Sequence, residues 1–195
     1  MKATIGIDEV GRGPIAGPVA VAAFHFKSKN LKFKAFPIPL RDSKKLTRIQ
    51  REAWFIQIKV WQKEGKCDFK VTMISASTID RIGIAPAIRR ALARSLYGLK
   101  TKHYRLILLD GGLKAPQEFK NQKTIIKGDE KEPAIALASI VAKVTRDRHM
   151  RWQAKKFPQY SFENHVGYGT RAHYAAIRKH GLTPLHRKTF LSKLF

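Results

Sequence analysis

This chain of 195 residues has a single cysteine, Cys67, so no intramolecular disulfide can form and a reducing cytosol is the expected compartment. Acidic residues are almost as scarce. Only 14 Asp and Glu stand against 39 Lys and Arg, a formal net charge of +25 and far more than solubility requires. Such an excess points to a polyanionic partner, nucleic acid ahead of an anionic membrane surface. Adaptation to a salty or acidic cell interior, or ribosome association, is the plainer alternative. No apolar run is long enough to span a bilayer, and Met1-Lys2 leads straight into a short alternating segment without signal-peptide patterning. A cytoplasmic protein with no membrane partner is expected. Internal repeats and clean linkers are also missing, and with 44% hydrophobic residues the chain is expected to build one sizeable core.

The apolar stretches that are present alternate with helical patterns. Thr4 to Ile7 reads as a strand, and Pro18 to Phe26, apolar on both faces, reads as a strand covered from two sides. Lys27 to Lys34 is a lysine-rich connection. Thr47 is placed to cap a helix from Arg48 to Lys63, and Phe69 to Ile74 reads as a strand. Ser77 to Leu99 is helical, with Ser77 or Thr78 as cap, and Pro86 predicts a kink or a division into two helices. Arg105 to Gly112 holds a buried strand with Asp110 at its carboxyl end, and Thr124 to Lys127 is a short strand. Pro133 opens a helix that runs to Lys156, on which Ile140, Val144 and Asp147 share a face. Beyond Pro158 comes a loop rich in aromatics and glycine, then a helix from Arg171 to His180 capped by Thr170 and stopped by Gly181. The pattern predicts an α/β fold with a mixed sheet between helices, and a helical cap from the last forty residues folded against the sheet.

In so basic a chain, four acids stand in unusual places. Asp8 and Glu9 follow the first strand, Asp110 ends a buried strand before Gly111-Gly112, and Asp147 lies on an apolar helix face. Carboxylates without a histidine or cysteine cluster suit Mg²⁺ or Mn²⁺ rather than zinc. Two such ions about 4 Å apart can activate water and stabilise the leaving oxygen of a phosphodiester. Together with the basic surface, this set points to a nuclease. Taken singly, each acid also has a plain reading: Asp8 or Glu9 as a strand-end ion pair, Asp110 as a turn former, Asp147 as a helical ion pair with Lys143. Gly11-Arg12-Gly13 offers backbone amides and a guanidinium to a phosphate, or is simply a tight turn. Ser43, Lys44 and Lys45 suit a phosphate backbone, or solvent. Tyr168, between two glycines, can stack on a sugar or base, or pack the appendage.

Six segments, in order, carry a resemblance that covers nearly the whole chain. They are Gly6-Ile7-Asp8-Glu9-Val10-Gly11-Arg12-Gly13-Pro14, Asp42-Ser43-Lys44-Lys45-Leu46, Leu108-Leu109-Asp110-Gly111, Lys127-Gly128-Asp129, Ala138 to Arg148, and His165-Val166-Gly167-Tyr168-Gly169-Thr170. The chain closely resembles the ribonuclease HII family. That resemblance implies a ribonuclease H-like core over residues 1–156 and a C-terminal helical extension over 157–195 that carries the tyrosine loop. It implies hydrolysis of RNA in RNA–DNA hybrids, and incision of duplex DNA 5′ to embedded ribonucleotides leaving 3′-hydroxyl and 5′-phosphate ends, as in ribonucleotide excision repair. Asp8, Glu9, Asp110 and Asp147 match the family's acidic positions, which bind Mg²⁺ or Mn²⁺, two ions during catalysis. Gly11, Arg12, Gly13 and Tyr168 match positions that read the ribose 2′-hydroxyl and the DNA-side nucleotide, while Ser43 and Lys44 match positions near the phosphate backbone.

The family commonly has lysine at Val166, glycine at Ser161, serine at Ala134 and proline at Leu182. Val166 removes one cation beside the tyrosine loop. Arg12 and the immediate start of the core distinguish the chain from the related ribonuclease HIII. Phe190 to Phe195 resembles a sliding-clamp peptide, with docking on its own domain as the alternative; otherwise a monomer is expected. The competing functions are another ribonuclease H-like nuclease of the junction-resolvase type, and a non-catalytic hybrid- or ribosome-associated binding protein.

Overall fold

The computed structural model describes residues 4–28, 33–40, 42–99, 104 and 106–192. Five strands form one mixed sheet: β1 (Thr4–Val10), β2 (Val19–Phe26), β3 (Cys67–Ile74), β4 (Leu106–Asp110) and β5 (Gln122–Ile125), in the order β3-β2-β1-β4-β5. The first three pair antiparallel, whereas β1–β4 and β4–β5 are parallel. The helices are α1 (Arg48–Lys63), α2 (Ala76–Ile82), α3 (Ile84–Gly98), α4 (Gly128–Lys131), α5 (Pro133–Lys156), α6 (Phe162–His165) and α7 (Arg171–His180). None among the described residues is long and apolar enough to cross a membrane.

The period-two pattern of the strands divides the core into two layers. Ile5, Ile7, Val19, Val21, Ala23, Ile107 and Leu109 pack with Ala87, Ile88, Ala91 and Leu92 of α3. Ala22, Phe24 and Phe26 turn the other way, onto α5 and the Trp54, Ile58 and Trp61 face of α1. β2 is buried along its whole length, as its two-faced apolar sequence requires. α5 runs alongside β1 at close range: a Cβ on Gly6 would lie 2.1 Å from the Ala134 carbonyl carbon, so only glycine admits the helix there.

Most predicted boundaries agree within a residue or two, and α1 has its full capping box. Gln50 N–H donates to Thr47 Oγ1 at 3.2 Å while Thr47 N–H donates to Gln50 Oε1 at 2.9 Å. Other expectations shift. Ser75, not Ser77 or Thr78, caps α2, and the break before α3 falls at Gly83, where φ is 82°. Pro86 sits in the first turn of α3, where a backbone N–H has no helical partner to lose. β5 begins and ends earlier than predicted, because Lys127 turns into the left-handed region at φ 54° to start α4.

Residues 29–32 of the lysine-rich connection and 193–195 of the tail lie outside the described residues; Phe33–Ala35 is a short 3-10 turn. The C-terminal segment packs mainly on the far end of α5 and the β1–β2 connection, not across the sheet. Ile15 and Ala16 meet Met150, Ala154, Tyr160, Phe162, Ile177 and Leu191 in a third cluster.

Candidate active site

β1 and β4 run parallel with Gly6 opposite Leu108 and Ile7 opposite Leu109, and the next step of that register brings Asp8 beside Asp110. The pairing with β4 stops there while β1 continues against β2 to Val10. Asp8 and Glu9 therefore lie on a strand whose β4 side has just come free, pointing to opposite faces yet bordering one strand-end crevice. α5 supplies the fourth acid. Its residue Ala134 abuts Gly6, and its Arg146 abuts Gly11, so Asp147 comes level with the C-terminal end of β1.

The four carboxylates are held by different donors. Asp8 is buried, accepts from the Glu9 N–H at 2.7 Å and bonds the Ser139 hydroxyl. Asp110 Oδ1 accepts from the Gly128 N–H at 2.6 Å. Glu9 lies 3.4 Å from Arg12 Nη1, and Asp147 lies 2.9 Å from Lys143 Nζ. Burial raises the Asp8 carboxyl well above its ordinary value, and the charges of Glu9 and Asp110 add to the rise. Burial raises Glu9 too, with Asp110 adding and Arg12 opposing. Asp8, Glu9 and Asp110 thus crowd one another electrostatically, a deficit that a hard cation relieves. Among the described residues no three such side chains close into a finished metal cage. Each carboxylate leans on a protein donor of its own.

Two further acids border this group. Asp42 and Asp129 are both buried, and Asp129 is pushed up to about 6 by burial, by Asp42 and by Asp110. Lys44 is exposed beside them. Burial works against its charge, but Asp42, Asp129, Asp8 and Asp110 together hold it above its ordinary value. Ser43 behaves differently from its neighbour: its hydroxyl is buried and 2.8 Å from that of Ser139, behind Asp8 rather than on the surface.

The glycine-flanked loop is built from its carbonyls outward. Gly11 has φ 91°, and a Cβ there would lie 2.3 Å from Arg146 Nε, whereas nothing stands within 4 Å of a Cβ at Gly13. Packing demands glycine at the first position and leaves the second open toward solvent. Two buried arginines set the loop. Arg146 donates to the carbonyls of Pro18 (2.9 Å), Val166 (2.9 Å) and Ala16 (3.2 Å). Arg187 donates to those of Gly17 (3.0 Å), Arg12 (3.0 Å) and Gly11 (2.6 Å). Burial, with Arg146 nearby, pushes Arg187 down to about 9, still cationic at neutral pH.

Arg146, through the Val166 carbonyl, joins the tyrosine loop to this one. Gly167, at φ 90°, passes so close to Ala16 that a Cβ would meet its carbonyl oxygen at 2.2 Å. Tyr168 follows with its side chain partly in solvent. The structure therefore gathers Asp8, Glu9, Asp110 and Lys44, aligns Asp147 along α5, and ties Gly11 to Gly13 to the Tyr168 loop. Sequence reasoning missed Ser139, Asp42, Asp129, Arg146 and Arg187 as parts of the site. Arg146 left one trace, since it falls in line with the core positions Ala142 and Met150 at helical spacing.

A mixed sheet with acids at the ends of two adjacent parallel strands and a third element crossing them defines a ribonuclease H-like nuclease. Solved structures share this fold: ribonuclease H2 from Pyrococcus horikoshii superimposes with a TM-score of 0.78 at 24% identity, covering 98% of this chain and 96% of that one. The PCNA:RNase HII complex from Archaeoglobus fulgidus gives 0.74 at 24% identity, covering 95% and 93%. Bst-RNase HIII in complex with Mn²⁺ gives 0.69 at 18%, covering 98% and 70%. In sequence, residues 5–193 match the family model for ribonuclease HII. The chain is 46% identical to the ribonuclease HII of Endomicrobium trichonymphae, covering 95% of this chain and 83% of that protein, and 43% identical to that of Prochlorococcus marinus, covering 97% and 96%. The chain belongs to the ribonuclease HII family and is an endonuclease of ribonuclease H type 2. Membership sets aside the junction-resolvase and non-catalytic readings.

Proposed function

We propose that this enzyme incises duplex DNA 5′ to embedded ribonucleotides as well as cutting the RNA of RNA–DNA hybrids, leaving 3′-hydroxyl and 5′-phosphate ends. In this reading Asp8, Glu9, Asp110 and Asp147 hold Mg²⁺ or Mn²⁺, two ions during turnover, and the all-oxygen, mutually repelling donor set fits such cations. When bound, the ions activate water and stabilise charge on the leaving oxygen. The observation that carries the proposal is the Asp8–Asp110 adjacency across parallel strands, with Gly11 to Gly13 just past the end of β1.

The chain's own groups divide the remaining work. Ser139 and the Glu9 N–H orient Asp8, Gly128 orients Asp110, and Lys143 holds Asp147. Ser43 acts behind the site by positioning Ser139. Lys44 meets backbone phosphate at the rim. Gly11, Arg12 and Gly13 face the ribose: with the Gly11 and Arg12 carbonyls turned inward onto Arg187, the loop's amides need no base code to detect a 2′-hydroxyl, and the open space over Gly13 admits a sugar. Tyr168 stacks on the sugar of the DNA-side nucleotide. The division into a core of residues 1–156 and an extension of 157–195 then has a purpose, because the extension brings the tyrosine to the ribose-reading loop.

A cytoplasmic monomer is the proposed form, in keeping with a single cysteine, Cys67, that is buried and unpaired. The A. fulgidus RNase HII in complex with PCNA supports a clamp as a partner. Here Leu191 is buried and Phe190 packs against the protein's own core, so self-docking accounts for that part of the tail. The deciding experiment is product analysis on a duplex with one ribonucleotide, with and without Mg²⁺ or Mn²⁺. A single metal-dependent cut with a DNA 3′-hydroxyl is expected, and cleavage 3′ to the ribonucleotide or metal-independent turnover would overturn the reading.

A further inference from the structure

Three histidines of the extension form a buried stack that the proposed chemistry does not use. His173 and His165 lie with ring centroids 4.3 Å apart and nearly parallel, Phe162 meets His173 edge-on, and Tyr160 and Phe162 close the group against His186. Among the described residues none of the three rings reaches a carboxylate; every polar neighbour is a backbone group, a hydroxyl or another imidazole.

Their protons are fixed by one irreversible donor. The Thr183 N–H donates to His186 Nδ1 at 2.8 Å. A backbone amide cannot accept, so Nδ1 is the acceptor and the proton of neutral His186 is on Nε2. That proton points at His173 Nε2, 3.1 Å away. His173 must therefore carry its own proton on Nδ1, which donates at 2.8 Å to the carbonyl of Tyr168. The Thr183 hydroxyl, which accepts from the Leu185 N–H at 3.2 Å, is free to donate to the same His186 Nδ1 at 3.0 Å. His165 is independently set, accepting from the Gly167 N–H on Nδ1 and donating from Nε2 to the Tyr160 carbonyl. A chain of single-direction hydrogen bonds thus runs from Thr183 through two imidazoles to the backbone of the exposed tyrosine.

We infer that His173 and His186 are positioning residues that fix the tautomer chain holding Tyr168 in its substrate-reading pose, and so set the enzyme's discrimination at single ribonucleotides. The inference rests on the proposed role of Tyr168. Glycines on both sides leave that residue little local restraint, and its carbonyl, which also accepts from the Thr170 N–H at 2.9 Å, is tied to the extension's core by His173. A ring turned by a small angle loses its stack on one nucleotide, which matters most where only one ribonucleotide is present. A long hybrid offers repeated registers.

The test is a double-mutant cycle with two substrates, a duplex carrying one ribonucleotide and a uniform RNA–DNA hybrid, alongside thermal unfolding. His173→Phe keeps the ring packing and deletes the donor; His173→Asn keeps a donor at the Nδ1 position. We expect His173→Phe to lower kcat/KM on the single-ribonucleotide duplex about five- to tenfold, the worth of one hydrogen bond, with a change within about twofold on the hybrid. His173→Asn restores most of the loss. In a Tyr168→Ala background His173→Phe adds nothing, because its effect passes through the tyrosine. Additive losses, equal losses on both substrates, or failure of His173→Asn to rescue would overturn the inference while leaving the role of Tyr168 intact. If Tyr168→Ala alone leaves discrimination unchanged, the role of Tyr168 falls, and the inference with it. His186→Phe, which keeps a ring and deletes the donor to His173, serves as the second route if His173→Phe does not fold: a loss confined to the single-ribonucleotide duplex is expected, and no loss or equal losses on both substrates would overturn the inference.

Discussion

Arg187 Nη2 donates to the carbonyl oxygen of Gly11 at 2.6 Å, a contact between residues 176 positions apart. The same guanidinium takes the carbonyls of Arg12 and Gly17, so a side chain from the last described segment sets the backbone of the first functional loop. Arg187→Ala leaves three carbonyls without their donor in a buried place. A loss of about 3 kcal/mol or more in urea denaturation is expected, at roughly 1–3 kcal/mol per unsatisfied group. Arg187→Lys, able to serve one of the three, should fall between.

Asp110→Asn keeps the acceptor for the Gly128 N–H and removes one of the charges that crowd Asp8 and Glu9. In chelator its melting temperature should equal or exceed that of wild type, while turnover falls to background. Wild type should be stabilised by Mn²⁺. At about a hundred times Kd the gain is about 2.7 kcal/mol, or roughly 5–10 °C for a chain of this size. The variant should lose most of that shift in differential scanning.

Arg12 is largely exposed and pairs with Glu9 at 3.4 Å, an arrangement worth at most about 1 kcal/mol. It also borders a hollow of about 160 Å³ with Arg89 and Lys114, for which no carboxylate partner occurs among the described residues. Arg12→Ala should leave the melting temperature nearly unchanged, reduce incision at single ribonucleotides, and lower the slope of log affinity against log salt by about 1. Fluorescence titration across several salt concentrations measures the slope.

His173 and His186 are both pushed down to about 4, chiefly by burial. Above the unfolded value of about 6.5 neither state binds these protons, so their contribution is fully present. As pH falls from there toward 4 the unfolded chain takes up protons that the folded chain refuses, and stability declines. Asp8, Glu9 and Asp129, raised in the fold, act with the opposite sign. The clean measurement is therefore a difference: the stability advantage of wild type over His186→Gln should shrink between pH 6.5 and 4.

Ser161 and Val166 flank α6 at φ 52° and 44°, where a side chain is strained and a β-branched one most of all. The glycine that the family commonly carries at Ser161 has a conformational reason. Ser161→Gly should stabilise by about 0.5–1 kcal/mol, read from the urea midpoint.

The elements were largely legible, because their signals are local. Thr47 three residues before Gln50, Pro133 at a first turn, Gly181 after His180 and the two-faced apolar run of β2 each state their structure within a few residues. The break between α2 and α3 was misplaced onto Pro86 because a proline in a first turn and one that ends a helix look alike without the hydrogen-bond pattern. Of the site, the acids stood out by their rarity in a basic chain. Ser139, Arg146, Arg187 and the two histidines did not, since a buried polar side chain looks the same in sequence as a solvated one.

By itself the sequence determined the strands, most helices, the polyanion-seeking charge and the family, all of which follow from composition, short-range spacing or ordered motifs. Only the tertiary structure decided that Asp8 lies next to Asp110, that Ser43 is buried against Ser139 behind Asp8, and that the loops of Gly11 and Tyr168 are one assembly. Those relations depend on a parallel register and on buried arginines that reach carbonyls far along the chain. Backbone carbonyls are identical at every residue, so no pattern of side chains announces which of them a guanidinium will find.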